Sequence, residues 1–270
     1  MERPRLVASD VDGTLLGPGE RVSARTASAI SRVHTSDIPF VLVTGRPPRW
    51  VPVVAEGAGT TGYAVCANGA VLYDIGADRV VWQVGLDPVR LSDLASVLDA
   101  ALPGCSVATE RVGTRAVSED VQPFVAEDSY RHPWGDSDHR QVTRAEVLGH
   151  QAIKLLVGHE KMTSAEMALA ATSLLGDEVE ITYSSNAGLI EISAPNVTKA
   201  SGLADVAERF GVDAANVIAF GDMPNDVPML SWAGHGVAMA NAHQEALDVA
   251  DEVTASHEDD GVALVLERWF

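Results

Sequence analysis

Leu6-Val7-Ala8-Ser9-Asp10-Val11-Asp12-Gly13-Thr14-Leu15-Leu16 is the stretch whose reading decides the fold. A short apolar run of strand length stops at one aspartate, and a second aspartate, a glycine and a threonine follow at once. Alternate residues of an extended segment point the same way, so the Asp10 and Asp12 side chains can serve one site, and Gly13 lets the chain turn sharply away. Two carboxylates at a strand's end call for a cation, because unit charges about 4 Å apart repel by about 4 kcal/mol at an effective dielectric of 20.

Working outward, residues 23–33 carry Ala27, Ile30 and Val33 at helical spacing, and 38–43 is a continuous apolar run ending at Thr44-Gly45-Arg46. Pro47-Pro48 suits the first turn of a helix reaching about residue 56. A third strand, 63–67, ends at Asn68-Gly69, and 71–81 reads as a hairpin around Gly76. Strands that alternate with helices and end in polar or glycine-rich turns predict an α/β fold. Its core is a Rossmann-like parallel sheet with helices on both faces and a ligand crevice at the carboxyl ends of the strands. Asp10, Thr44 and Asn68 then share one rim.

The character changes after Trp82: a helix over 88–101, strand-like pieces near Val107 and Val117, and a loop-like 123–141 rich in Asp, His, Pro and Gly. A strand at 152–157, a helix at 164–175 and strands at 179–183 and 189–192 follow. Residues 83–188 are expected to form an inserted α+β domain between two halves of a catalytic core, 1–82 and 189–270. The alternating style returns with a helix over 201–210 closed by Gly211, a strand over 217–220 ending at Gly221-Asp222, and a short helix over 227–232. A strand at 237–239, a helix near 244–250 and a terminal helix from Gly261 complete it.

The 270 residues are 46% apolar and carry a formal charge of −19 with a pI near 4.6. That suffices for a sizeable core and argues against nucleic acid or an anionic membrane as a partner, since both need basic footprints. Cys66 and Cys105 form no paired motif and read as buried thiols in a reducing compartment. No apolar stretch reaches membrane-spanning length and the N-terminal strand is too short for a signal-peptide core, so a cytoplasmic location is expected. A monomer and a homodimer are equally compatible with the sequence.

Asp10-Val11-Asp12-Gly13-Thr14, Thr44-Gly45-Arg46, Lys199 and Gly221-Asp222-Met223-Pro224-Asn225-Asp226 resemble, in order, the four motifs of the haloacid dehalogenase superfamily of phosphatases. Asn68-Gly69-Ala70, Asn225-Asp226-Val227-Pro228-Met229-Leu230 and Ala240-Asn241-Ala242 are similar to its Cof-type branch, subclass IIB, in which a cap domain is inserted after the third core strand. The resemblance covers both ends of the chain; the inserted domain matches by position and general pattern only.

The resemblance implies a magnesium-dependent phosphomonoester hydrolase. Asp10 would attack phosphorus and become an aspartyl-phosphate; Asp12 would protonate the leaving alcohol and then deprotonate the hydrolytic water. Magnesium would bind Asp10, the backbone carbonyl of Asp12 and Asp222, with Asp226 supporting the metal or orienting Lys199. Thr44 and the amide of Gly45 would hold phosphate oxygens, Lys199 would offset charge, and Arg46, Asn68 and Asn225 are candidate phosphate or substrate contacts. The expected substrate is a small phosphorylated metabolite, foremost a sugar phosphate, with a cap closing over the crevice. Side chains near Glu110-Arg111 or in the 130–140 loop are expected to set specificity. A phosphosugar mutase and a catalytically silent phosphometabolite-binding protein fit the same motifs.

Two features read differently. His132, Asp136, Asp138 and His139 frame Pro-Trp-Gly-Asp-Ser, which looks like a surface loop rather than a zinc site. The segment before Lys199 carries Asn196 where the branch often has glycine, and asparagine tolerates the left-handed backbone such a loop requires.

Overall fold

A computed structural model describes residues 2–131 and 139–270. In chain order the strands are β1 (Leu6–Ser9), β2 (Phe40–Val43), β3 (Tyr63–Cys66), β4 (Val71–Asp74), β5 (Arg79–Gln83), β6 (Ser106–Glu110), β7 (Phe124–Ala126), β8 (Arg140–Gln141), β9 (Lys154–Gly158), β10 (Glu180–Thr182), β11 (Leu189–Ser193), β12 (Val217–Gly221), β13 (His235–Ala238) and β14 (Glu252–Val253). The helices are α1 (Ala24–Thr35), α2 (Val51–Ala58), α3 (Pro88–Ala101), α4 (Arg144–Leu148), α5 (Ser164–Leu175), α6 (Lys199–Phe210), α7 (Val227–Trp232), α8 (Gln244–Val249) and α9 (Gly261–Leu266). Two compact units result: the chain up to Trp82 with Thr198–Phe270, and Gln83–Val197.

The first unit is the α/β core expected from the sequence, an eight-stranded sheet in the order β14-β13-β12-β1-β2-β3-β4-β5. Its strands from β14 to β3 run parallel, and β4 returns antiparallel to β3. The run Leu-Val-Ala-Ser of β1 is buried at every position, as befits a central strand covered on both faces. Alternation divides its side chains. Leu6 and Ala8 join Val41, Val43, Val217 and Ala219 in a cluster with Leu203, Val206 and Ala207 of α6 and Met229 of α7. On the opposite face Phe40 meets His34 of α1 edge-on, and α1 packs against α2 and α9.

Local signals explain the helix ends. Ser23 caps α1 through Thr26 N, Thr198 caps α6 through Ser201 N, and Gly211 closes α6 in the left-handed region at φ 62°. Asn196 adopts φ 61°, the left-handed geometry expected of it in place of glycine.

In the second unit a six-stranded sheet, β10-β11-β9-β6-β7-β8, is antiparallel apart from its β7–β8 pair. β11 pairs residue by residue with β9 and β10, so 189–193, read from sequence as core, belong here, and the chain re-enters the first unit at Thr198. The alternating Leu-Ile-Glu-Ile-Ser of β11 reads equally well in either sheet, and only its partners decide.

Other expectations change. Val117 lies outside any strand and is exposed, while 123–141 contains β7 and β8. Glu110 is buried at the end of β6, and the Arg111 guanidinium donates to the carbonyls of Glu146 and Val147 at 2.5 and 3.3 Å. Both cysteines are thiols outside any disulfide; Cys66 is buried and Cys105 half-buried, with burial pushing the Cys105 thiol up to about 11. Among the described residues no helix is long and apolar enough to cross a membrane. Of the histidine–aspartate loop only His139 is described; His132, Asp136 and Asp138 lie outside the described residues.

Candidate active site

Parallel neighbours bring the ends of β1 and β12 side by side, with Ser9 opposite Phe220. The backbone N–H of Asp10 donates to the Phe220 carbonyl at 2.9 Å, which holds the first aspartate at the seam between the two strands. Gly13 turns the chain at φ 73°, and a Cβ there would overlap the Asp222 carboxylate, so glycine is demanded by both conformation and space. The Thr14 hydroxyl donates to Asp222 Oδ1 at 2.9 Å and Asn241 Nδ2 donates to the Gly13 carbonyl at 2.9 Å. Sequence reading treats Thr14 as part of a turn and Asn241 as a branch marker. Neither role as a pin between the two loops is visible without the fold.

Lys199 begins α6 and is 1% exposed. Its Nζ donates to Asp10 Oδ1 at 2.6 Å and to Asp226 Oδ1 at 2.5 Å. The other Asp226 oxygen accepts the backbone N–H groups of Asp222 and Met223, both at 2.9 Å. Asp226 is therefore spent on the chain's own donors: it orients Lys199 and fastens the loop after β12.

Asp10, Asp222 and Asp226 each place a carboxylate oxygen within 4.8 Å of the others, all three buried. At that spacing two unit charges repel by about 3.5 kcal/mol at an effective dielectric of 20. Burial pushes the Asp10 carboxyl well above the usual range, the charge of Asp226 adds to this, and Lys199 opposes it. Burial, followed by the charge of Asp226, pushes Asp222 up to about 7, against the Thr14 hydrogen bond. For Lys199 burial favours the neutral amine, but the Asp10 and Asp226 carboxylates outweigh it and raise the ammonium's pKa. Three carboxylates and one ammonium leave an excess of two negative charges when all are ionised, an oxygen-only donor set suited to a hard divalent cation such as magnesium. With Asp226 engaged, Asp10 and Asp222 are the carboxylates left to take one up.

The second rim position is equally fixed. Thr44, fully buried after β2, accepts Arg46 N–H on its hydroxyl at 3.0 Å and Asn68 N–H on its carbonyl at 3.0 Å. Ala67 and Asn68 both sit in the left-handed region, at φ 51° and 56°, a costly pair for non-glycine residues of the kind that gathers at functional sites. Asn225 Nδ2 donates to Asn68 Oδ1 at 3.0 Å, and the buried Asn225 Oδ1 has no hydrogen-bond partner among the described residues. The loops after β3 and β12 therefore meet through their amides.

Asp12 and Arg46 stand apart from the buried cluster. The Arg46 fork grips the Asp12 carboxylate with Nε at 2.8 Å and Nη2 at 2.5 Å. Asp12 thus contributes no side-chain oxygen to the group formed by Asp10, Asp222 and Asp226.

Comparison with known proteins identifies the family. The sequence matches the haloacid dehalogenase-like hydrolase family over residues 7–266. It is 30% identical over 280 residues to the 5-amino-6-(5-phospho-D-ribitylamino)uracil phosphatase YitU of Bacillus subtilis, covering 99% of this chain and 98% of that one. YcsE, named for the same activity in the same organism, is 28% identical over 270 residues, covering 98% and 95%. A haloacid dehalogenase-like hydrolase from B. subtilis superposes with a TM-score of 0.82 at 22% identity over 98% of this chain and 100% of that one, a likeness of fold. A family match spanning nearly the whole chain, with the four motifs gathered at one end of one sheet, shows that this protein is an enzyme belonging to the haloacid dehalogenase-like hydrolases.

Proposed function

We propose that the protein is a magnesium-dependent phosphomonoester hydrolase acting through an aspartyl-phosphate on Asp10. The observation that carries the reading is the buried Lys199 bridging Asp10 and Asp226 beside Asp222, which leaves a nucleophilic carboxylate and an unbalanced negative charge at one point. Asp10 would attack phosphorus as the bond to the leaving oxygen breaks, with the electron pair leaving on that oxygen and Asp12 supplying its proton. In the second half, water attacks the phosphoryl group while Asp12 takes its proton, and the Asp10–phosphorus bond breaks to return the carboxylate and release phosphate. Lys199 aims Asp10 and opposes the burial that favours its neutral form, Asp226 holds Lys199, and Thr44 with the Gly45 amide receives phosphoryl oxygens. Magnesium bound by Asp10 and Asp222, with the Asp12 carbonyl, would supply charge neutralisation and orientation of the phosphoryl group.

The substrate we propose is a small phosphorylated metabolite in the cytoplasm, foremost a sugar or sugar-alcohol phosphate. The reading is supported by two relatives named for a substrate with a phosphorylated ribityl chain. Residues 83–197, the second unit, would act as the cap of this branch. The test is phosphate release from a panel of sugar phosphates, ribitol 5-phosphate, nucleotides, pyridoxal phosphate and phosphoglycolate, with magnesium or chelator, alongside Asp10→Asn. Release that requires magnesium and is lost in a folded Asp10→Asn variant is expected. Isomerised sugar without phosphate release would establish a mutase, and binding without turnover a silent sensor; either refutes the proposal.

A further inference from the structure

Arg46 and Asp12 make a pair whose two members are anchored very differently. The Arg46 backbone is held at both ends: its N–H donates to the Thr44 hydroxyl at 3.0 Å and its carbonyl accepts Ala67 N–H at 2.9 Å. Its side chain is 20% exposed, whereas that of Asp12 is 57% exposed and is followed by Gly13 at φ 73°. The arginine is thus the fixed member, and the carboxylate is the one free to swing. Asp10 and Glu20 also lie within electrostatic reach of the guanidinium, so the cation faces carboxylates on the β1 side of the rim.

Bidentate geometry makes this fork as suited to a phosphate as to a carboxylate. The hold on Asp12 is nevertheless modest, because water reaches the half-exposed carboxylate and competes for its oxygens even though the two-point geometry is favourable. An incoming dianion offering two oxygens would compete for the same two N–H groups. An aspartate that must bring a proton to a leaving oxygen has to leave this clamp and take up that proton, from water or from the phosphomonoester itself, before it acts.

We propose that Arg46 is an exchange position: in the substrate-free protein it clamps Asp12, and an anionic group of the phosphomonoester takes the place of that carboxylate, releasing Asp12 toward the reacting oxygens. Arg46 is then a positioning residue for Asp12 as well as an anion contact, and substrate arrival itself unlocks the proton carrier. The inference rests on the phosphatase reading and adds to it the order of events at one residue.

The test is a double-mutant cycle on the binding of inorganic phosphate, measured by calorimetry in magnesium buffer for the full-length wild type, Asp12→Asn, Arg46→Gln and the double variant. Asp12→Asn removes the internal competitor, so phosphate is expected to bind about fivefold tighter, the equivalent of an exposed ion pair worth about 1 kcal/mol. In the Arg46→Gln background the same change is expected to bring no gain. Equal tightening in both backgrounds would mean simple relief of repulsion and would overturn the exchange. So would unchanged affinity in Asp12→Asn, or in Arg46→Gln alone. A wild type that hydrolyses phosphomonoesters yet shows no coupling in the cycle refutes the exchange alone. A wild type that neither hydrolyses them nor binds phosphate refutes the phosphatase reading with it.

Discussion

The buried carboxylates predict how stability responds to pH when no divalent cation is present. Asp222 titrates near 7 in the folded protein against an ordinary value of 3.8, and Asp10 is shifted the same way. Between those values the folded state keeps a proton that the unfolded chain has given up, so stability falls as pH rises, by about 1.4 kcal/mol per pH unit for one such group. From pH 5.5 to 7.0 Asp222 alone removes about 2 kcal/mol, and Asp10 adds in the same direction. For a unit of this size that corresponds to a loss of roughly 4–8 °C in Tm. His34 acts oppositely, since burial lowers its pKa and stability gained through it rises with pH. It is remote from the cluster, on the α1 face, and contributes equally with and without metal. Thermal unfolding in chelator and in millimolar magnesium, across pH 5.5–7.5, therefore isolates the cluster by difference. The chelated protein should melt progressively lower than the magnesium form as pH rises. A gap between the two curves that stays constant or narrows with pH would refute the account of a charge-strained, cation-seeking site.

Two substitutions probe the scaffold. Gly69→Ala places a Cβ into the Thr198 carbonyl at φ 105°, so a loss of at least about 2 kcal/mol in urea unfolding is expected together with lost turnover, whereas Gly59→Ala, with open space around it, should cost only the strain of its left-handed φ. In the second unit Lys154→Met takes the ammonium away from Glu191, which it meets at 2.7 Å with both side chains largely shielded from water; a loss of about 3–5 kcal/mol in urea unfolding is expected, and adding Glu191→Gln, which removes the partner charge, should recover part of it.

What could be read in advance followed from local chemistry. Strand-terminal aspartates, the Thr44 turn and the helix over 227–232 needed only a few consecutive residues to declare themselves, and Asp10, Lys199, Asp222 and Asp226 do converge. What escaped depended on pairing across long separations. β11 carries no mark of which sheet it joins, β7 and β8 are too short to stand out from a polar loop, and β14 is a two-residue edge. The grip of Arg46 on Asp12 and the contact of Asn225 with Asn68 join residues 34 and 157 positions apart. They arise because several loops emerge at one sheet end, a geometry that composition and spacing do not encode.

The position of β1 also bears on how the chain is made. It lies inside the sheet between β2 and β12, and Leu6 finds its partner in Val217, on the far side of the whole second unit in sequence. At a synthesis rate of about 5–20 residues per second, one edge of a wholly buried central strand waits roughly 10–40 s for its neighbour while the rest of the first segment and the second unit are translated. Until β12 arrives, β1 thus presents an open, hydrophobic edge that is a template for mispairing.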